Sequence, residues 1–335
     1  MFEIPIVLFI FKRVSSLEQI ISRINEICPK KVYLVADGGR NELEHNECLA
    51  CRAYAESLFL PNIEIIKNYS SFNRGVFQNI GLGAKWVFET EDRAIFLEDD
   101  NLPALSFFTF CESLLEKYAN DDRIMWICGT NYLGEFNNGY SYVFTRHMLP
   151  CGWASWSKKF NTYYDGYLNT IFDKNKLQNF KKTFLIRGCS SKKLYYSSKY
   201  ALERTKYLVD NRITEASWDY QMNYSIRSNM FYGISPSKNQ INNIGVDNCS
   251  IHGGNVSKGA IKAYCFVEEK NIEMPLVHPP AIEIDKKYEK KINNIIASSW
   301  SGVIKNILAK PLKKLVGINE YDSFSKWLKK KKNTK

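Results

Sequence analysis

RAIFLEDDNLP, residues 93–103, is the stretch on which the fold turns. Four apolar residues, Ala94 to Leu97, run straight into Glu98, Asp99 and Asp100. No Lys or Arg occurs in the fifteen positions that follow. A short, wholly apolar run fits a strand buried on both faces. Three adjacent carboxylates at its end repel one another. They can hold a hard divalent cation, do acid–base chemistry, or cap the next helix, whose dipole favours acids.

Similar runs surround this stretch. IPIVLFIF (4–11), KVYLVA (31–36), IEIIKN (63–68) and RIMWICG (123–129) read as further buried strands. Between them lie helical patterns. Ser15 and Glu18 form a capping-box pair ahead of Leu17, Ile20, Ile21, Ile24 and Ile27. Residues 43–59, 75–90 and 105–118 also fit helices. Strands alternating with amphipathic helices predict an α/β, mostly parallel sheet with helices on both faces. Ligands then bind at the carboxyl ends of the strands. Lys12-Arg13, Asp37, Asn68 and the acidic triplet all fall there. After residue 150 the alternation stops. GWASWSKKF reads as an aromatic loop, and residues 174–182, 191–209 and 217–228 as helices. Residues 231–234 and 239–246 read as short strands or loops.

The totals narrow the class. The chain has 335 residues, 45% of them hydrophobic and 24% charged, enough for one large domain or two smaller ones. Nine cysteines at scattered positions do not make a disulfide framework, and they point to a reducing compartment. Cys48 and Cys51 form an isolated C-x-x-C that reads as chance within a helix. No run reaches the roughly 18 apolar residues of a membrane span. The apolar start is too short for a signal peptide, so a cytosolic protein is expected.

Individual residues stand out. Asp37, followed by Gly38-Gly39, sits where an acid accepts from a ribose hydroxyl or a base N–H, or simply closes a tight turn. Asn73 fits a helix N-cap, and Arg74 follows at a helix N-terminus of the kind that attracts phosphate. Asp219 lies in an apolar helical pattern, where it could act as a base. His252 is one of four histidines, in a Gly- and Asn-rich segment, and fits either a ligand or a structural role.

The series ADGG, NRG, LEDDNLP, GWASW, SWDYQ and NIG…HGG, in that order, resembles the nucleotide-sugar glycosyltransferases of the GT-A (Rossmann-like) fold. It is most like bacterial surface-polysaccharide transferases similar to the Golgi N-acetylglucosaminyltransferase that starts complex N-glycans. The match spans about residues 4–255. It implies a metal-dependent transfer from a nucleoside-diphosphate sugar, UDP-linked, to a saccharide acceptor in capsule, O-antigen or other surface-glycan synthesis. By the same resemblance Asp100 holds Mn²⁺ or Mg²⁺ against the diphosphate, and Glu98 and Asp99 face the ribose and sugar. Asp37 meets the nucleoside, Arg74 the diphosphate or sugar, and His252 the metal or diphosphate. Gly152-Trp153 shapes the donor and acceptor pocket, and Asp219 is the base of an inverting reaction. Gly39 stands where Pro is common and Gly253 where Thr is common, which loosens the first loop and the setting of the His.

The expected organisation is a nucleotide-sugar-binding half (1–130), an acceptor-binding half (131–280) and a basic amphipathic helical tail (281–335). The tail holds fourteen Lys against five acids, so nine of the chain's eleven net positive charges lie there. Residues 290–316 carry apolar residues at helical spacing with Lys on the other side, and Pro311 should kink that helix. Such a helix suits an anionic membrane surface, engaged through residues 286–335. This places the protein in the cytoplasm, peripheral on the cytoplasmic face of the inner membrane, where many polysaccharide acceptors are lipid-linked. Nucleic acid is excluded as a partner, because the cations alternate with an apolar stripe. Two other functions compete: a sugar nucleotidyltransferase and a non-catalytic sugar- or membrane-binding module. The segment FKRVSSLEQ after the first strand has no glycine for a triphosphate loop, which weighs against the first of these.

Overall fold

The computed structural model describes residues 1–245, 263, 265, 267–322 and 327. Its amino-terminal part runs β1 (Ile6–Ile10), α1 (Leu17–Ile27), β2 (Lys31–Ala36), α2 (Glu42–Leu58) and β3 (Glu64–Tyr69). A π-helical segment (Phe77–Leu82) leads into α3 (Gly83–Val87), then β4 (Arg93–Glu98), β5 (Asn101–Pro103), α4 (Ser106–Lys117) and β6 (Ile124–Cys128). Beyond these come β7 (Tyr142–Thr145), β8 (Trp153–Trp156), α5 (Ser157–Tyr163), α6 (Lys174–Thr183), α7 (Lys192–Asp210) and α8 (Asp219–Ser228). The chain continues through β9 (Tyr232–Pro236), β10 (Ile241–Asn243), α9 (Lys286–Ile296) and α10 (Trp300–Leu315).

Eight strands form one sheet in the order β3-β2-β1-β4-β8-β6-β9-β7. β3, β2, β1 and β4 pair in parallel, as do β6 and β9; β8 and β7 run antiparallel to their neighbours. The sheet is therefore mixed but mostly parallel, with helices on both faces. Alternation along β1 explains its unbroken apolar run. Ile6, Leu8 and Ile10 pack on one side with α1 and α4, while Val7 and Phe9 pack on the other with the π segment, α3, α5 and α9. A third, smaller core joins α6, α7 and Tyr224 of α8.

Four local expectations change. GWASWSKKF is not a loop: Trp153–Trp156 form β8, inserted antiparallel between β4 and β6, and Ser157 opens α5. Trp153 is 1% exposed and stacks between Phe96 (3.8 Å) and Trp126 (4.3 Å). It is thus a core residue rather than a pocket wall. The capping box does not form. Ser16 sits at the N-cap of α1 without capping it, and its hydroxyl donates to the Asp99 carbonyl. The tail divides into α9 and α10, with Ser299 capping the second through Gly302 N, and α10 runs on through Pro311.

The eight described cysteines form no disulfide. Burial pushes the Cys48 and Cys51 thiols up to about 11 and about 12, so both remain protonated in the core. Among the described residues, no helix is long and apolar enough to cross a membrane.

His147, just past β7, Arg227 of α8 and Glu289 of α9 form a buried cluster. Arg227 donates to His147 Nδ1 at 3.3 Å, and His147 Nε2 faces Glu289 Oε1 at 3.4 Å. Burial, outweighing the Glu289 charge, holds the imidazole down to about 4. An unfolded His takes up its proton near pH 6.5. As pH falls below that value, the unfolded chain therefore gains a proton that the fold refuses, and stability is lost until about pH 4. The expected loss between pH 7 and 4.5 is about 2 kcal/mol from this residue. Glu289, held below its ordinary value, adds its own loss only at lower pH. Urea unfolding at both pH values should give His147→Gln a pH dependence smaller by that amount. Equal dependence in the two proteins would mean that His147 takes up its proton at the same pH in the fold as in the unfolded chain.

Candidate functional site

The carboxyl ends of β1, β2 and β4 open into a cavity of about 1170 Å³. Its lining includes Arg13, Asp37, Glu98, Asp99, Asp100 and Asp219. Phe9 pairs with Glu98 across β1 and β4, so the two acids that follow emerge beside Phe11 and Arg13. Asp99 accepts from the Phe11 amide at 3.1 Å and from Arg13 at 2.7 Å. The same guanidinium lies 3.4 Å from Asp100 and donates to the Gly245 carbonyl at 3.0 Å. The apparent lack of basic neighbours is therefore a feature of the linear sequence alone. The counter-charge comes from the end of β1, about ninety residues away in the chain.

Asn101 fastens the acidic turn. Its amide donates to Asp100 at 2.5 Å, and its carbonyl oxygen accepts from Gly152 N at 2.8 Å. Gly152 has φ of +60°, and a Cβ there would meet Ile241 at 2.5 Å. Its part is to let the chain pass close to the turn. Gly245 packs so closely on Asp100 that a Cβ would meet the carboxylate at 2.2 Å.

Asp219, the first residue of α8, lines the same cavity. Ser217 Oγ donates to its carboxylate, and so does the Tyr220 amide at 2.9 Å. Burial holds the Glu98 carboxyl well above the ordinary range, reinforced by Asp100, Asp99 and Asp219 and opposed by Arg13. The Asp219 charge reaches Glu98, so the acids of the cavity share one field. Burial also pushes Asp99 up to about 7 against the pull of Arg13. The Asp219 charge, with burial, raises Tyr220 to about 12.

Asp37 lines the cavity but is heavily engaged. Its carboxylate accepts from the amides of Gly38 (2.9 Å), Arg74 (2.6 Å) and Gly75 (2.9 Å) and from the Asn73 side chain (3.0 Å). Four donors use the lone-pair sites that a carboxylate offers. Burial still outweighs these bonds and leaves its pKa raised. Asn73 thus reaches back to Asp37 and Gly38 rather than capping a helix. The turn closes because Gly75 takes φ of +78° hard against Thr214, where a Cβ would lie 2.3 Å from a backbone oxygen.

Arg74 points another way. Its guanidinium donates to Asn68 (3.1 Å), Asn79 (2.7 Å) and the Ala36 carbonyl (3.3 Å), and it lines a second cavity of about 550 Å³. Burial lowers its pKa. The cations on the large cavity are instead Lys12, Arg13, Arg40, Arg204 and Arg227. Glu44 holds two of them at the mouth, accepting from Lys12 at 3.0 Å and from Arg40. These bonds, chiefly that from Arg40, hold the Glu44 carboxyl down to about 2. Lys12-Arg13 stood at a strand end in the sequence, but nothing local tied either to the acids. His252 lies outside the described residues. Among those described, no three acidic, His or Cys side chains converge as a metal cage.

No family model matches the chain, and no curated protein matches it. Two solved structures of UDP-glucose pyrophosphorylase, one complexed with UDP-glucose and one apo, align with 78% of this chain and 97% of theirs. The identity is 10% and the TM-score 0.36 in both cases, a likeness that carries no argument about the site.

Proposed function

We propose that the protein is a glycosyltransferase that moves a sugar from a nucleoside-diphosphate donor, UDP-linked, to a saccharide acceptor in surface-glycan synthesis. One observation supports this most: the acids ending β4 and Asp219 heading α8 line one cavity, close enough that the Asp219 charge acts on Glu98, and cations line the same cavity. Inversion needs one base and no covalent intermediate. Asp219, oriented by Ser217 and the Tyr220 amide, takes the proton of the attacking hydroxyl. Lys12 and Arg40, braced by Glu44, suit the diphosphate. Asp37 acts at one remove, holding the loop at residues 73–75 in place against the nucleoside side of the cavity.

The donor set fits a divalent cation. Mg²⁺ and Mn²⁺ are held by one or two carboxylates plus substrate phosphates and need no all-protein cage. Asp100 is the carboxylate for that ion. When bound, a Mn²⁺ or Mg²⁺ ion would supply neutralising charge to the leaving diphosphate.

The second reading is a sugar nucleotidyltransferase; the two solved structures are of UDP-glucose pyrophosphorylase. At that TM-score the likeness does not choose between the two. Arg13, on the segment where a triphosphate loop would sit, is engaged with Asp99 and Gly245. A product assay separates the readings. With Mn²⁺, a UDP-sugar and a saccharide panel, acceptor-dependent release of UDP is expected. Pyrophosphate formed from UTP and a sugar 1-phosphate, without acceptor-dependent UDP, moves the assignment to the second reading. Neither product, with no thermal stabilisation by UDP and Mn²⁺, leaves a non-catalytic module.

A further inference from the structure

α10 has two unlike faces. On one, Val303 and Lys313 are buried, and Lys310 donates to Glu203 of α7 at 2.9 Å. Tyr321, just beyond α10, packs its ring on Tyr200 and Tyr207 of α7. This face fastens α10 to α7. The other carries Trp300, Ile304, Leu308, Leu312 and Leu315, all between 50% and 84% exposed. At 100° per residue these five fall within one third of the helix circumference. Lys305 and Lys314, both exposed, border the stripe. A contiguous apolar patch of this kind marks a contact surface.

Charge decides among the occupants. Residues 281–335 hold fourteen Lys and five acids, and four of those Lys are consecutive at 329–332. A second copy of the chain would bring two such Lys-rich segments together. Nucleic acid would match the Lys but leave the apolar stripe in water. An anionic bilayer matches both: apolar side chains enter the headgroup–acyl boundary while Lys meets anionic headgroups.

We propose that α10 docks the protein on an anionic membrane surface through this stripe. α7, on which α10 rests, also gives Leu194, Ser198, Leu202 and Arg204 to the large cavity. Docking therefore brings one wall of the cavity beside the bilayer, where an acceptor anchored in the membrane could reach it. The docking itself does not depend on the catalytic reading.

Flotation of the full chain tests it, using phosphatidylcholine vesicles with and without phosphatidylglycerol. Binding is expected only to the anionic vesicles and should weaken as salt rises. Leu308→Glu with Leu312→Glu should lower the partition coefficient by about 100-fold or more. Lys305→Gln with Lys314→Gln should lower it by about 30-fold. Thermal melting and circular dichroism of both variants should match the parent, since these side chains are exposed. The proposal is overturned if the parent stays with the soluble fraction, or if both variants float as it does. It is equally overturned if light scattering shows that the stripe residues only hold a dimer together, or if an oligonucleotide rather than the vesicle binds α10.

Discussion

Asp219→Asn is expected to lower kcat by roughly 10³-fold, within the range of a lost general base. The donor KM should change little. Asn keeps the shape of the side chain and an oxygen for the Ser217 hydroxyl and the Tyr220 amide, so the head of α8 stays in place. On the proposed reading, what is lost is the capacity to take a proton from the acceptor hydroxyl as the sugar bond forms. A loss confined to kcat marks an interaction made in the transition state, whereas a rise in KM alone would mark uniform binding. The charge of Asp219 also reaches Glu98 and Tyr220, so a purely structural role would move their titration and the melting temperature without a matching fall in turnover. Steady-state kinetics of the UDP-releasing reaction, with donor binding measured separately, checks the split. Turnover within a few-fold of the parent removes Asp219 as the base. So does a product whose anomeric configuration is retained.

The parallel half of the sheet was legible because β1, β2 and β4 are buried on both faces and so read as unbroken apolar runs. β8 was not. It is four residues long, joins the sheet from beyond residue 150, and runs against β4, so no local alternation announces it. Trp153 stood out as an aromatic near the ligand edge, yet the register of β8 on β4 sets its ring against Phe96. The acids of the site were visible as strand-end residues, because strand ends are legible. Their partners were not. Asp37 takes three amides and a side chain from its own loop and from residues 73–75, so its engagement depends on a turn that the sequence does not spell out. Arg74 sits next to that turn but swings toward Asn68 and Asn79. Long-range pairing decides side-chain direction, and a single sequence carries little of it.

Arg13 is where that gap has its largest consequence for stability. Arg13→Met should destabilise the fold by about 3–5 kcal/mol, the usual result of removing one partner from a buried ion pair. The guanidinium is buried and bridges Asp99, Asp100 and the Gly245 carbonyl. Burial holds Glu98 and Asp99 above the ordinary carboxylate range even with the guanidinium in place, so without it both shift further up and take up protons, while the Gly245 carbonyl loses its donor. Met fills similar volume, so lost packing contributes little. Arg13→Lys should recover only part of the loss, because a point charge cannot span three acceptors as a planar fork does. The double variant Arg13→Met, Asp99→Asn should be more stable than the single Arg13→Met, since it also removes the carboxyl that must otherwise take up a proton. A coupling energy of about 1–3 kcal/mol from the four-protein cycle would establish the pair. Urea unfolding in the absence of nucleotide and metal gives each value. If Arg13→Met instead unfolds like the parent but no longer gains stability from UDP, the guanidinium serves the donor phosphates, and the acids of β4 are balanced by another group.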